Sequence, residues 1–266
     1  MNQKPLGSTK VMLPEIGLGT WNYQGDADVI LRSRELGGFL IDTAESYGTE
    51  REVGRAIKDR REDYFIATKV SPENLRYDDV LQAAENSLRR LDTDWIDLYQ
   101  IHFPNPKIQI TGTMKALGDL VNTGKVRYIG VSNFSSKEFK DAQEALGDIP
   151  IVCNQVEYSL FNQSINDDFL PYSTQNAVTV MAYSPLAQGF IDPELAKRPK
   201  LAALLDEIAT ANQMTRAQVL LAWCIHHPQV VTIPQTNNVG RVAENIAASG
   251  GRLTEEQYSD LTDASS

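Results

Sequence analysis

Cysteine is scarce: Cys153 and Cys224 are the only two in 266 residues, and each sits inside an apolar segment. Two isolated thiols supply neither a disulfide framework nor a zinc cluster, which points to a reducing compartment and two core positions. Only three histidines occur, none in an H-x-H or H-E-x-x-H spacing, so no metal centre is expected. No run approaches the ~18 apolar residues of a membrane span, and the first residues show no charged-then-apolar leader pattern. A soluble, cytoplasmic protein with no membrane partner is expected. Basic residues are outnumbered, 25 Lys and Arg against 35 Asp and Glu, for a formal charge of -10. That balance disfavours nucleic acid as a partner, yet a local arginine or a helix N-terminus can still hold an anion. A dinucleotide-fold glycine loop is also missing. Gly17 and Gly19 begin a G-x-G-x-x-G, but Asn22 stands where the third glycine belongs.

What the sequence does contain is a regular alternation. With 42% hydrophobic and 23% charged residues it suits one globular domain over 1–266, and an α/β barrel commonly runs to roughly 250 residues as a single unit. The N-terminal segment around Gly7-Ser8-Thr9 predicts a hairpin, a candidate lid. Strands are expected over 16–21, up to Asp42, and over 64–69, 96–102, 126–131, 151–155, 178–183 and 230–233. Between them lie helical stretches over 26–35, 51–57, 114–121, 169–172, 215–223 and 239–247. A further stripe is formed by Val80, Leu81, Ala84, Leu88 and Leu91. Ser135 with Glu138 and Thr215 with Gln218 have the spacing of capping boxes. Eight strand-then-helix units without a linker imply parallel pairing and a closed (β/α)8 TIM barrel, with a short N-terminal hairpin and a C-terminal helix. The rival, a doubly wound open sheet, lacks its glycine signature.

Catalytic residues of such barrels lie at the C-terminal ends of the strands. Successive strands there offer Asp42 with Tyr47, then Lys69, then His102. Singly, each has an ordinary explanation: a turn cap, a buried aromatic, a strand-end lysine, a satisfied core histidine. Together they make a proposal. Lys69 beside Asp42 forms a buried ion pair that keeps both charged. Lys69 beside Tyr47 is expected to lower the phenol's pKa from about 10, which suits a proton donor. His102 is placed to orient a carbonyl by hydrogen bond. His226 and His227, next to Pro228, look like a helix terminus and loop.

Over essentially its whole length the chain resembles an aldo-keto reductase. The matching stretches are I-G-L-G-T-W at 16–21, I-D-T-A-E-S-Y-G at 41–48, A-T-K-V at 67–70 and L-Y-Q-I-H at 98–102. Further on come I-G-V-S-N-F at 129–134, N-Q-V-E-Y-S at 154–159, A-Y-S-P-L at 182–186 and I-P-Q-T-N-N-V-G-R-V-A-E-N at 233–245. The resemblance implies a catalytic tetrad at Asp42, Tyr47, Lys69 and His102, and a nicotinamide cofactor extended across the barrel mouth. It assigns Ser132, Asn133 and Gln155 to the carboxamide and Tyr183 to the nicotinamide face. Ser184, Leu186, Gln188 and Gly189 are assigned to the pyrophosphate path. Gly19, Thr20, Trp21 and Asp42 join them on the first strands, and Ile233, Gln235, Thr236 and Asn237 on the last. Arg241 is matched to the adenosine 2′-phosphate, and Glu244 and Asn245 to the adenine.

One departure bears on the cofactor. Gln235-Thr236 stands where many NADPH-dependent members carry lysine then serine, so NADPH is expected with weaker discrimination against NADH. Trp21, Tyr47, His102 and Phe103 are expected to frame an aldehyde or ketone in an open pocket of broad selectivity. A monomer is expected. The alternative is a nucleotide-binding regulatory or redox-sensing subunit on the same fold. A metal-dependent barrel hydrolase has little support from the ligand spacing.

Overall fold

The computed structural model describes residues 1–265; Ser266, the last residue of the expected single domain, lies outside the described residues. A hairpin of β1 (Gln3–Pro5) and β2 (Met12–Pro14) comes first. The barrel strands follow: β3 (Leu18–Gly19), β4 (Leu40–Asp42), β5 (Phe65–Val70), β6 (Ile96–Ile101), β7 (Val126–Ser132), β8 (Ile151–Glu157), β9 (Thr179–Tyr183) and β10 (Val230–Thr232). Each pairs in parallel with the next. Bridges from Ile16 to Thr232 and from Gly19 to Gln235 join the first strand to the last and close the sheet into a (β/α)8 barrel. The helices are α1 (Ala27–Glu35), α2 (Glu50–Ile57), α3 (Tyr77–Leu91), α4 (Ile110–Asn122), α5 (Ser136–Leu146), α6 (Phe169–Asn176), α7 (Ile191–Ala196), α8 (Pro199–Ala211), α9 (Arg216–Cys224), α10 (Val239–Ile246) and α11 (Glu255–Ser265).

The first strand is shorter than the expected 16–21, because the chain turns sharply after Gly19. Its glycines serve the barrel seam. A Cβ on Gly19 would stand 2.6 Å from the Ile233 carbonyl oxygen, and one on Gly17 2.8 Å from Leu40. Only glycine permits that approach, so I-G-L-G is a packing signal and not a fragment of a phosphate loop.

Period-two alternation sorts the strand residues. Phe65 and Ala67 face an interior cluster with Leu40, Leu98, Cys153, Met181 and Val231, while Ile66 and Val70 face the helices. The floor of the barrel is therefore apolar, and the alternation leaves polar side chains on the same inner face at the strands' C-terminal ends. Burying each large aliphatic side chain stabilises by about 1.5–3 kcal/mol, which offsets the cost of that polar layer.

Two features differ from expectation. The hairpin is a plug at the opposite end of the barrel, not a lid over its mouth: Gly7 N–H donates to Thr179 Oγ1 at the start of β9 (2.7 Å). Lys4 Nζ reaches the carbonyls of Ile225, His227 and Val230 at the start of β10. The connection from β9 to β10 also carries α7 and α8 ahead of α9, where one helix was foreseen. Both predicted capping boxes are present, Ser135 with Glu138 opening α5 and Thr215 with Gln218 opening α9.

Candidate active site

β4 delivers Asp42 and β5 delivers Lys69 to the inner face, side by side. Lys69 Nζ donates to both Asp42 carboxylate oxygens (2.9 and 2.7 Å) and to the Thr43 carbonyl (2.9 Å). The ammonium is fully buried and its pKa is raised: the Asp42 charge and the hydrogen bonds around it win over the desolvation that opposes them. Gln155 Nε2 donates to Asp42 Oδ1 (2.7 Å), which adds a neutral donor to the same carboxylate.

After Asp42 the chain makes a 3-10 turn over Glu45–Tyr47 that swings the phenol back over the barrel. Lys69 Nζ lies 3.3 Å from Tyr47 Oη and 4.7 Å from the ring centroid. The pKa expected to fall below 10 is instead raised. Burial of the phenol is the largest influence, and the lowering by Lys69 does not outweigh it. The hydroxyl is therefore protonated at neutral pH. His102, which follows β6, places Nε2 3.4 Å from Tyr47 Oη with the two rings edge to face, while Phe103 stacks on its other side. Ser46 Oγ stands 3.4 Å from His102 Nδ1. Burial, then the Lys69 charge, holds the imidazole down at about 4, so it is neutral at physiological pH.

A cavity of about 1200 Å³ opens from Tyr47 and His102 and runs across the barrel mouth to α10. That exceeds the ~300–1,000 Å³ of an ordinary small-molecule site and has room for an extended ligand and a second small molecule. Near its inner end Ser132 Oγ donates to the Gln155 carbonyl (2.7 Å), and Asn133 Nδ2 donates to Ser132 Oγ (3.0 Å) and to the His102 carbonyl (3.1 Å). Tyr183 Oη donates to Asn133 Oδ1 (2.9 Å), which fixes that ring on the cavity wall. Beyond β9 the backbone holds Ser184, Ala187 and Gln188 at positive φ, together with Gly189. Left-handed non-glycine residues are sparse and gather where the chain is shaped for a ligand.

At the far end Asn238 caps α10 by accepting from Gly240 and Arg241 N–H, and Arg241 has no ion-pair partner among the described residues. Thr236 is buried with its hydroxyl accepting from Asn238 N–H (3.1 Å). Gln235 donates to Asn237 Oδ1 (2.8 Å), and Glu244 Oε1 accepts from Thr215 Oγ1 (2.7 Å).

Of the residues singled out in the sequence, Gly19, Trp21, Asp42, Tyr47, His102 and Phe103 line this cavity. So do Ser132, Asn133, Gln155, Tyr183, Ser184, Leu186, Gln188 and Gly189, and Ile233, Gln235, Thr236, Asn237, Arg241, Glu244 and Asn245. Two do not. Lys69 lies behind Asp42 and Tyr47, both of which line the cavity. Thr20 is fully buried, with its hydroxyl donating to the Asp42 carbonyl and shared with Thr49 (both 2.9 Å), so it braces Asp42 and leaves no group for a ligand. Asn22, Ser46, Ile191, Ala217 and Asn238 also line the wall and were not foreseen. Ser46 and Asn238 were visible as polar neighbours of the singled-out residues; Ile191 and Ala217 arrive on α7 and α9 by tertiary packing alone. Among the described residues no cluster of His, Cys, Asp and Glu is placed to hold a metal.

Comparison with known proteins gives this arrangement a family. The model for the Aldo/keto reductase family matches residues 15–266. The methylglyoxal reductase of Escherichia coli (strain K12) is 38% identical over 276 residues, 99% of this chain and 95% of that protein. A thermostable aldo-keto reductase solved with the inhibitor epalrestat superposes with a TM-score of 0.92 at 41% identity, covering 99% of this chain and 100% of that one. An aldo-keto reductase from Klebsiella pneumoniae solved with NADPH gives 0.87 at 34% identity over 98% and 94% of the two chains. A closed barrel with this site at its mouth and matches along its full length has one consistent assignment: the chain belongs to the aldo/keto reductase family of oxidoreductases.

Proposed function

We propose that the protein is an NADPH-dependent carbonyl reductase that converts aldehydes or ketones to alcohols, with Tyr47 as general acid. The observation that carries this is the buried Asp42–Lys69 pair aimed at the Tyr47 hydroxyl, with neutral His102 beside it in a long cavity. Bound NADPH supplies a hydride from its nicotinamide C4. The residue set fits such a molecule. The donors of Ser132, Asn133 and Gln155 are spent on protein partners, and their side-chain oxygens keep acceptor lone pairs toward a carboxamide, while Tyr183 offers a flat face. The left-handed stretch at Ser184 and Gln188 bends the chain for the pyrophosphate, and Arg241, without an ion-pair partner among the described residues, offers a planar fork for a 2′-phosphate.

Tyr47 keeps its proton until negative charge develops on the carbonyl oxygen, then donates it. Lys69, held cationic by Asp42, stabilises the phenolate left behind. His102 carries no charge and orients the oxygen through a hydrogen bond. Trp21 and Phe103 are 48% and 44% exposed at the mouth, which favours an open, weakly selective substrate site. The 38% identity to a methylglyoxal reductase makes small dicarbonyls the first compounds to test. We further infer one domain over 1–266 that acts as a monomer in the cytoplasm, the first two to be checked by limited proteolysis and light scattering.

The test is NADPH consumption over a panel of aldehydes and ketones that includes methylglyoxal. Turnover of several of them supports the reductase. Tight NADPH binding without turnover of any would favour a nucleotide-sensing subunit instead.

A further inference from the structure

Tyr47 and Lys69 are each bracketed in sequence by residues that hold one another in space. Tyr47 lies between Glu45 and Glu50; Lys69 lies between Thr68 and Ser71. Glu45 Oε1 accepts from the Ser71 backbone N–H (2.6 Å) and from Asn74 Nδ2 (3.0 Å), at the exit of β5. Glu50, buried at the first turn of α2, accepts from Thr68 Oγ1 (2.6 Å) inside β5. Arg90 on α3 ties the two carboxylates together. Its Nε donates to Glu50 Oε2 (2.5 Å), and its guanidinium reaches Glu45 Oε2 at 3.9 Å.

The 3-10 turn that carries Tyr47 is short and has no side-chain cap of its own. Thr43 Oγ1 and Thr49 Oγ1 (2.9 Å) tie the base of the turn together, and this brace adds a tie from the turn itself to the exit of β5. We propose that Glu45, supported by Arg90 and Glu50, is a positioning residue that sets the distance between the Tyr47 hydroxyl and the Lys69 ammonium and so governs proton donation. The proposal rests on the general-acid role given above to Tyr47. Charge-assisted hydrogen bonds to a partly buried carboxylate are stiff enough for the purpose, and displacement of a reacting group by about 1 Å costs on the order of 100-fold in rate.

The decisive variant is Glu45→Ala. Loss of the brace loosens Tyr47 from Lys69 and weakens the one nearby influence that lowers the phenol's pKa, against burial and the Asp42 charge that raise it. With the ring still buried against His102, the Tyr47 titration then moves to higher pH. Simple removal of a negative charge would move it the other way, so the sign separates positioning from long-range electrostatics. We expect kcat to fall by on the order of tenfold or more, with the carbonyl KM and the NADPH Kd nearly unchanged and the alkaline limb of kcat displaced upward. Glu45→Gln, which keeps an acceptor oxygen for Ser71 N–H, is expected to restore most of kcat. If Glu45→Ala does not fold, Asn74→Ala removes one donor without changing charge and should show the same pattern more weakly. A folded variant with wild-type kcat and an unmoved Tyr47 titration overturns the proposal. So does a parallel loss of kcat, KM and NADPH affinity with that titration unmoved. Tyrosinate absorbance, taken as the component missing from Tyr47→Phe, reports the titration without turnover. A wild type inactive on every carbonyl would thus refute the reductase assignment while the brace is still tested.

Discussion

The Lys69 ammonium and the Asp42 carboxylate form a bidentate pair, with Nζ 2.9 and 2.7 Å from the two oxygens and side-chain exposures of 0% and 3%. A pair this deep is costly to break from one side only. Lys69→Met is expected to destabilise the fold by about 3–5 kcal/mol, because among the described residues Asp42 retains only Gln155 as a side-chain donor. The double variant Lys69→Met with Asp42→Asn should lose less than either charge-stranding single change. Urea unfolding of the three variants checks the ordering. A double variant as unstable as the sum of its parts would contradict it.

His102 gives a signed pH dependence. Burial and the Lys69 charge take its pKa from 6.5 to about 4, so between those values the unfolded chain binds more protons than the folded one. Its contribution to stability is complete above about pH 6.5 and is lost as pH falls toward 4. Burial displaces His227 in the same direction. Wild-type stability should therefore decline across this window, and less steeply in His102→Asn, as measured by denaturant titrations between pH 7 and pH 4. An equal slope in both proteins would refute the assignment.

Among the described residues Arg241 has no ion-pair partner at the far end of the cavity. Arg241→Ala should weaken NADPH binding by roughly 10- to 100-fold, the usual size of a lost charged hydrogen bond, and leave NADH nearly untouched. Gln235→Lys should raise the NADPH preference by adding a cation beside Thr236. Fluorescence titration with both nucleotides measures the ratio. An unchanged ratio in Arg241→Ala would remove the 2′-phosphate assignment.

At the other end of the barrel, Lys4 spends its donors on the Ile225, His227 and Val230 carbonyls. Lys4→Met leaves the Ile225 and Val230 carbonyls without that donor, while His227 keeps the Val230 N–H, at about 1–3 kcal/mol for each group left unpaired and buried. The melting temperature should fall, and amide exchange should quicken in β1 and β2 ahead of the barrel strands. NADPH affinity should be unaffected, since the plug and the mouth lie at opposite ends.

Much of this was legible in the sequence, for physical reasons. Asp42, Lys69 and His102 each terminate an apolar strand, and period-two alternation puts all three on the inner face once the sheet closes. Ser135 and Thr215 announced their helices because a capping box is a local hydrogen-bond pattern. What failed was long-range. The hairpin's end of the barrel is decided by contacts such as Gly7 with Thr179, far apart in sequence. Thr20 has the polarity of a ligand group, and only the approach of Asp42 and Thr49 in space commits its hydroxyl elsewhere. The direction of the Tyr47 shift depends on how deeply the turn buries the ring, which the spacing to Lys69 does not contain. Helix α8 has its signal in the spacing of Leu201, Leu205 and Ile208, all buried in the structure.

The most direct test of the account compares wild type with Tyr47→Phe, measuring carbonyl-dependent NADPH oxidation and NADPH affinity on the same preparations. The substitution removes one hydroxyl and leaves the ring against Lys69 and His102. Turnover is expected to collapse by several orders of magnitude while NADPH affinity and thermal stability stay close to wild type. Turnover in Tyr47→Phe within a few-fold of wild type would contradict it, because the proton would then reach the substrate from another group.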